Sequence, residues 1–226
     1  MRFNSDQIQK IGKDIRGKVD GKTLFDEFSR GRYSTDASVY QIKPLGVVLP
    51  KDTNDVLSLM EYSQKNSVPL LARGGGSSQC GQTVGESVVL DYSKHQIKIL
   101  ELNVEEKYVW VQPGVVLDHL NAYLKPHGLW FPVDVSTSSR ATIGGMSANN
   151  SCGSRSLYYG NMVHNVLAIE AILDDGSIFN FDQINKNYLA TKNNQDRLYK
   201  IIDKFIDVRQ QVGGEIDANW PTTQRR

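Results

Sequence analysis

An arginine, three glycines, two serines and a glutamine stand in a row at Arg73-Gly74-Gly75-Gly76-Ser77-Ser78-Gln79, directly after the apolar run 69–72. Three adjacent glycines remove three Cβ atoms and open φ > 0, so successive backbone N–H groups can converge on one point. Such a concave cluster of amides is an anion nest, suited to a phosphate or diphosphate. The hydroxyls of Ser77 and Ser78 can donate to the same oxygens. Taken alone, the run also fits a tight polar turn between strands. A second stretch, 131–153, is dense in small and hydroxylated residues and again holds a glycine pair, Gly144-Gly145. With one Arg and one Asp in it, this stretch offers mainly neutral donors. Two such loops, each following a short apolar segment, suit one long ligand that carries a diphosphate.

Other polar residues carry less chemistry. Ser77 and Ser78 have no recognisable base beside them, which argues against nucleophilic catalysis. His95, His119, His127 and His164 are scattered, and no spacing suggests a metal site. His127, just after Pro126, reads as a helix-end residue. Cys80 and Cys152 read as small packed residues beside the two loops, since neither has neighbouring basic residues to lower its thiol pKa. Trp110 and Trp130 read as core or interface residues. Arg73 has two equal readings, offsetting diphosphate charge or tying the loop to the core. Asp134 either orders its loop or contacts the edge of the ligand.

The elements that must position these loops follow from hydrophobic patterning. Residues 6–30 predict one or two short helices packed on the outside. Residues 45–49 predict a buried strand stopped by Pro50, and Asp52 or Thr53 caps a helix whose apolar side is Val56, Leu57 and Met60, with Leu59 as a further candidate. A strand over 68–72 completes a βαβ unit that delivers the glycine turn. Strands are expected at 87–91, 97–102 and 107–112, and a helix over 115–125 that ends at Pro126 and Gly128. An irregular region, 132–160, precedes a hairpin of 166–173 and 177–181 turning at Asp174-Asp175-Gly176. A final helix over about 192–212 directs Leu198, Ile201, Ile202, Phe205 and Val208 inward.

The 226 residues, with 39% hydrophobic and 23% charged, belong to an ordinary globular protein. A net charge of +1 gives no electrostatic ground for a nucleic-acid partner. There is no basic-then-apolar leader pattern and no apolar run near the ~20 residues of a membrane span, so the expected setting is cytoplasmic, with peripheral membrane association left open.

The ordered set Ala72-Arg73-Gly74-Gly75-Gly76-Ser77-Ser78, Thr142-Ile143-Gly144-Gly145-Met146, Asn149-Asn150-Ser151-Cys152-Gly153 and Tyr159-Gly160 resembles the FAD-binding domain of the vanillyl-alcohol-oxidase/PCMH superfamily. Arg32-Tyr33-Ser34-Thr35-Asp36-Ala37-Ser38, Val111-Gln112-Pro113-Gly114-Val115 and His127-Gly128-Leu129 support it. Within that superfamily the resemblance is to the FAD-linked D-2-hydroxyacid dehydrogenases, which include a glycolate oxidase component and the D-lactate and D-2-hydroxyglutarate dehydrogenases. It spans about residues 20–215.

The resemblance implies an α+β, PCMH-type fold of two lobes with FAD between them: an N-terminal segment 1–40, a βαβ lobe 41–92 and a second lobe 93–226. Arg73, Gly74, Gly75, Gly76, Ser77 and Ser78 would hold the pyrophosphate, with Gln79 and Gly81 nearby. Pro132, Asp134, Thr137, Ser138, Thr142, Gly144 and Gly145 would line the pyrophosphate, ribityl and isoalloxazine side. Asn149, Ser151 and Gly153 would follow the flavin, and Ile169 would meet the adenine. Relatives with histidyl-linked FAD carry His where this chain has Ser77, and in the bicovalent branch a Cys precedes the glycine pair, whereas Cys152 follows it. Non-covalent FAD is therefore expected. Relatives also continue into a substrate-cap domain, whereas this sequence stops at Arg226, so the isolated chain would expose an apolar cap-facing surface. Because that cap supplies most groups that act on substrate, no catalytic residue is assigned. The implied activity is oxidation of a D-2-hydroxy acid to the 2-oxo acid, with the electron acceptor unspecified. The alternatives are an FAD-binding module without independent turnover and, less favoured by the 149–153 element, a UDP-sugar reductase on the same fold.

Overall fold

The computed structural model of the protein describes residues 3–182 and 197–221. It divides into two compact units, one of Met1–Val166 with Asp174–Gly176, the other of Leu167–Leu173 with Ser177–Arg226.

The first unit opens with helix α1 (Ser5–Arg16), started by a capping box in which Asn4 and Gln7 satisfy each other's backbone N–H groups. Ile8, Ile11 and Ile15 recur at helical spacing and are buried. A short strand β1 (Lys22–Leu24) and helix α2 (Glu27–Arg32) follow. The three-residue strand lies inside the stretch expected to be helical; tertiary pairing, not local propensity, makes it extended. Phe28, one of its apolar residues, faces solvent at 75% exposure.

A four-stranded sheet forms from β1, β2 (Gly46–Leu49), β3 (Leu70–Arg73) and β4 (Val88–Asp91) in the order β1-β2-β4-β3. β2, β4 and β3 are parallel and β1 is antiparallel to β2. Helix α3 (Thr53–Asn66), capped by Asp52, connects β2 to β3. The βαβ connection therefore exists as expected, but β4 separates its two strands. The burial pattern gives the reason: all four residues of β4 are buried, whereas β3 is only partly buried and accepts an edge. The parallel register sets Arg73 beside Asp91, so the carboxyl ends of β3 and β4 open at the same end of the sheet. Ligands of parallel α/β sheets gather at that end.

The hairpin of β5 (Ile99–Asn103) and β6 (Tyr108–Val111) leads to helix α4 (Leu117–Leu124) and a 3-10 turn over Lys125–His127. Gly128 closes that turn at φ 68°, its N–H reaching Lys125 O at 3.0 Å. The region expected to be irregular, 132–160, holds two short helices, α5 (Ile143–Ala148) and α6 (Ser156–Tyr159), and a third, α7 (Met162–Asn165), follows it. A separate apolar cluster roots them: Val115, Leu117, Leu120, Leu124, Val133, Ala141, Ile143, Met146 and Met162. Its anchors within the second loop are Val133, Ala141, Ile143 and Met146, which leaves the polar residues between them at the surface of the cluster.

The second unit contains the hairpin of β7 (Ile169–Ile172) and β8 (Ile178–Phe181), as expected, and helix α8 (Arg197–Asn219). Residues 192–196 of the expected helix lie outside the described residues. Leu198 and Ile202 are buried, but Phe205 (74%) and Val208 (48%) are exposed, contrary to the inward face read from spacing. Spacing identifies a stripe; it does not say whether a neighbour covers all of it.

A buried carboxylate staples the two halves of the sheet edge. Asp55, on α3, accepts from the N–H groups of Asp20 at 2.8 Å, Gly21 at 2.9 Å and Lys51 at 2.7 Å. Replacing it leaves three amides without their acceptor. Asp55→Ala is expected to lower the unfolding free energy by about 2–4 kcal/mol, with Asp55→Asn intermediate, as measured by urea titration; a loss no larger than for an exposed surface alanine would contradict this.

Candidate functional site

The glycine turn after β3 packs against backbone from the second loop. A Cβ on Gly74 would lie 2.1 Å from Thr142 Oγ1, and one on Gly75 would lie 2.2 Å from the Arg140 carbonyl oxygen. Gly76 takes φ +64°, and a Cβ there would meet the Arg73 guanidinium at 2.5 Å. The three glycines thus meet two needs: Gly74 and Gly75 permit contact between loops and Gly76 bends the chain. Among the described residues none accepts a hydrogen bond from the N–H groups of residues 74–78. These amides remain available for an external acceptor.

Arg73 is committed to structure. Its Nη1 donates to Thr83 O at 3.1 Å and its Nη2 to Thr35 O at 2.9 Å, while its guanidinium lies 5.2 Å from the Tyr33 ring centroid. Of its two readings, the geometry displays the tie to neighbouring chain. Burial pulls the guanidinium below its ordinary pKa, and Asp91, Tyr33 and Asp36 pull it back. The 33–38 segment forms the wall it grips. Tyr33 donates to Asp91 at 2.6 Å, and Thr83 Oγ1 donates to Asp36 at 3.0 Å. Burial, and then the bond to Asp91, push the Tyr33 phenol above its usual range.

In the second loop, residues 141–144 run beside 113–117. Ile143 N donates to Val115 O at 2.8 Å, Leu117 N to Ala141 O at 3.0 Å and Gly144 N to Pro113 O at 2.9 Å. A Cβ on Gly144 would sit 2.5 Å from Pro113 Cβ. Thr142 caps α5 through its Oγ1, 3.4 Å from Gly145 N, while pressing on Gly74. Pro113-Gly114 thus belongs to the same junction as both glycine loops.

Asp134 orders its surroundings. Its carboxylate accepts from Ser154 Oγ at 2.8 Å and from Arg155 N at 2.9 Å, and Arg155 Nε lies 3.6 Å away. Burial pushes its pKa up, but the Arg155 N–H and the Ser154 hydroxyl outweigh it and hold the carboxyl below the ordinary value. A Cβ on Gly153 would collide with the Asp134 carbonyl oxygen at 1.7 Å, so this approach also requires glycine. Arg155 lies 5.2 Å from the ring centroid of Trp130, which meets Tyr159 edge-on at 5.1 Å. Trp130 is 42% exposed and not a core residue, and Leu157, Tyr158 and Val163 are exposed as well.

The structure therefore sets Gly74 against Thr142, Gly75 against the Arg140 backbone and Gly144 against Pro113, with Gly76 folded onto Arg73. Ser78 reaches the loop of Asn149 and Ser151 through Gln82. Asp134 and Gly153 form a neighbouring cluster. Ser138 is held by its carbonyl, which accepts from Asp118 N at 3.2 Å, and Thr137 O receives the N–H groups of Arg140 and Ala141. Pro132 is partly buried next to Val133, Gln79 is exposed, and a Cβ on Gly81 would strike the Tyr40 ring at 2.6 Å. Ile169 lies on β7 in the other unit, 45% exposed. Cys80 is exposed, not packed, because the turn carrying it projects from the sheet; Cys152 is partly buried. Sequence reasoning missed Arg140, whose role is played by its backbone, and Gln82, whose partner lies 67 residues away. Nothing local to either residue signals these contacts. Among the described residues no group of His, Cys, Asp and Glu could hold a metal ion, and no helix is long and apolar enough to cross a membrane.

Residues 44–182, more than half the chain, match the family described as FAD binding domain. The chain belongs to this FAD-binding family. It is 42% identical over 155 residues to the D-2-hydroxyglutarate dehydrogenase of Haemophilus influenzae, covering 67% of this chain and 15% of that protein. It is 39% identical over 212 residues to the enzyme of the same name from Escherichia coli K12, covering 91% of this chain and 20% of that one. With the glycolate oxidase subunit GlcD of Bacillus subtilis the identity is 36%, over 74% of this chain and 37% of that protein. The chain thus spans a fifth or less of the two dehydrogenases and just over a third of GlcD. Among solved structures, BBE-like 1 of Physcomitrella patens superposes with a TM-score of 0.66 at 21% identity, covering 79% of this chain and 39% of that one. P-cresol methylhydroxylase superposes with a TM-score of 0.63 at 18% identity, covering 78% and 36%. The fold is the expected α+β, PCMH-type FAD-binding fold.

The contacts of this FAD-binding chain make two predictions. Gly75→Ala forces the two loops apart and is expected to cost about 1–3 kcal/mol of stability in chemical unfolding. Gly31→Ala, on α2 with nothing within 4 Å of its Cβ, is expected to be neutral or stabilising by up to about 1 kcal/mol. Equal effects would remove the steric explanation. Asp134 has a lowered folded pKa, so its contribution is present above the ordinary aspartate value of about 3.9 and is lost as pH falls through the lower folded value. Unfolding free energy measured from about pH 5 to pH 2 should fall less steeply in Asp134→Asn than in the parent.

Proposed function

We propose that this chain is the FAD-holding part of a flavin-dependent oxidoreductase that oxidises a D-2-hydroxy acid of the D-2-hydroxyglutarate, D-lactate or glycolate class to the 2-oxo acid. The observation that carries the reading is the glycine turn, whose amides at 74–78 lack internal acceptors while its Cα atoms press on the second loop. A diphosphate fits this turn, because it offers many oxygens and no donors to a cradle made of N–H groups, that of Ser78 among them, and the hydroxyl of Ser77. In this reading 41–92 form the FAD-binding lobe with the pyrophosphate loop, 93–226 form the second FAD-binding lobe and 1–40 flank them.

Each residue contributes by binding or shaping. Gly74, Gly75 and Gly76 aim backbone amides, with Arg73 holding the turn closed from behind. Gln79 and Gly81 border it. Pro132, Thr137, Ser138, Thr142, Gly144 and Gly145 supply small side chains and hydroxyls around the middle of the cofactor. Asn149, Ser151 and Gly153 follow the flavin, Asp134 sets the position of Gly153, and Ile169 meets the adenine. FAD, when bound, supplies the hydride acceptor for oxidation at C2 of the substrate, and the protein supplies position and electrostatics. No residue of this chain is assigned to the substrate's proton or carboxylate. Ser77 in place of a histidine, and Cys152 after the glycine pair, support non-covalent attachment. The free thiols of Cys80 and Cys152 suit a reducing, cytoplasmic setting. The names and identities of the relatives support the substrate class.

The test is the visible spectrum of the purified chain before and after acid precipitation, followed by addition of D-2-hydroxyglutarate or D-lactate. Flavin absorption released into the supernatant is the expected result, and colour in the pellet would overturn non-covalent binding. Bleaching by one of the acids would show turnover within this chain. Colour without bleaching would assign the chain the role of an FAD-binding module. A chain that stays colourless and takes up no added FAD would overturn the reading.

A further inference from the structure

Four polar side chains run in one line from the glycine turn to the second loop. Ser78 Oγ donates to Gln82 Oε1 at 2.5 Å, Gln82 Nε2 donates to Asn149 Oδ1 at 3.0 Å, and Asn149 Nδ2 donates to Ser151 Oγ at 3.2 Å. Both ends are rooted in backbone. Ser78 Oγ accepts from Cys80 N at 3.1 Å and from Gln82 N at 3.4 Å. Asn149 N donates to Gly145 O at 3.1 Å, and Ser151 N to Met146 O at 2.9 Å, where Met146 is part of the buried cluster. Each carboxamide accepts through its oxygen and donates through its nitrogen, and reversing either amide alone sets like atom against like atom between Gln82 and Asn149 and breaks the bond that joins the two loops.

We propose that Gln82 is a positioning residue for the flavin cofactor: its carboxamide holds the glycine turn and the loop at 149–151 at the one spacing a ligand spanning both requires. The inference rests on the FAD reading above. The amides at 74–78 face one end of such a ligand and the 149–153 loop follows the other. A bridge between them organises both ends before the ligand arrives, which lowers the ordering cost of binding. Gln82 itself is exposed, so its replacement leaves the buried core untouched. Steric contact at Gly74 and Gly75 sets how near the two loops come; the Gln82 bridge sets their alignment at the far end.

The test compares FAD with ADP, which carries the diphosphate but no flavin, on the 226-residue chain and its variants. Gln82→Ala is expected to weaken FAD about three- to tenfold, the effect of one lost hydrogen bond, and to change ADP affinity less than twofold, with the melting temperature nearly unchanged. Gln82→Glu keeps the acceptor for Ser78 but, when ionised, has no proton for Asn149 Oδ1. Its FAD dissociation constant, divided by that of the parent, should therefore fall as pH is lowered from about 7.5 to about 4.5 and the carboxyl regains a donor. Equal weakening of FAD and ADP by Gln82→Ala would reduce Gln82 to a structural member of its turn. An unchanged FAD affinity, or a pH-independent ratio for Gln82→Glu, would also overturn the proposal. If the parent chain takes up no FAD, the FAD reading itself fails and the proposal falls with it, a result separate from a parent that binds while its variants do not differ.

Discussion

The close approach of the 74–75 backbone to the 140–142 backbone is the constraint on which the site depends. A methyl group at either glycine would overlap an oxygen of the other loop. The gap is therefore set by main chain and by the Thr142 hydroxyl, and neither can move aside as the end of a long side chain can. The same device recurs at Gly144 against Pro113 and at Gly153 against the Asp134 carbonyl. These glycine contacts bring main chain against main chain or against a neighbouring Pro or Thr side chain. The backbone amides of residues 74–78, which cannot withdraw by changing rotamer, are left without internal acceptors beside this junction. A diphosphate-bearing cofactor is best met by this kind of surface, because its recognition needs many fixed donors of modest strength.

Carboxylates hold the frame. Asp55 collects three backbone N–H groups, Asp91 takes the Tyr33 hydroxyl and the Ser93 N–H, Asp36 takes Thr83, and Asp134 takes Ser154 and Arg155. Most of these bonds join segments that are separate in sequence; Ser93, two residues after Asp91, and Lys51, four before Asp55, are the local ones. A carboxylate suits this work because it accepts several bonds at once and charge strengthens each of them. The division of labour is consistent with a cofactor-holding domain: acidic groups fix the loops from behind, and the surface offered to the ligand stays neutral and rich in donors.

The two structural layers behind the loops are also distinct. The parallel strands β2, β4 and β3 carry the glycine turn out at their carboxyl ends. A separate apolar cluster roots the second loop through Val133, Ala141, Ile143 and Met146. Each loop is thus rigid at its base for its own reason, and the junction between them is made by glycine contact and by the line of amides through Gln82 and Asn149. Trp130, Tyr158 and Tyr159 lie outside this junction and make an exposed aromatic rim with Arg155.

Local chemistry by itself determined the strands at 46–49 and 88–91, the helix capped by Asp52, the β7–β8 hairpin and the two glycine-rich loops. These features need no distant partner: apolar periodicity, capping side chains and the absence of Cβ atoms act within a few residues. The order of motifs along the chain also sufficed to point to the FAD-binding fold. Tertiary structure alone decided that β4 enters between β2 and β3, that a strand forms at Lys22–Leu24, that Arg73 ties to Thr35 and Thr83, and that Phe205 and Trp130 are exposed. It also decided the part played by Gln82. Those outcomes depend on which surfaces meet after the chain has folded back on itself, and a pattern of residue types records the capacity to make a contact, not the partner with which it is made.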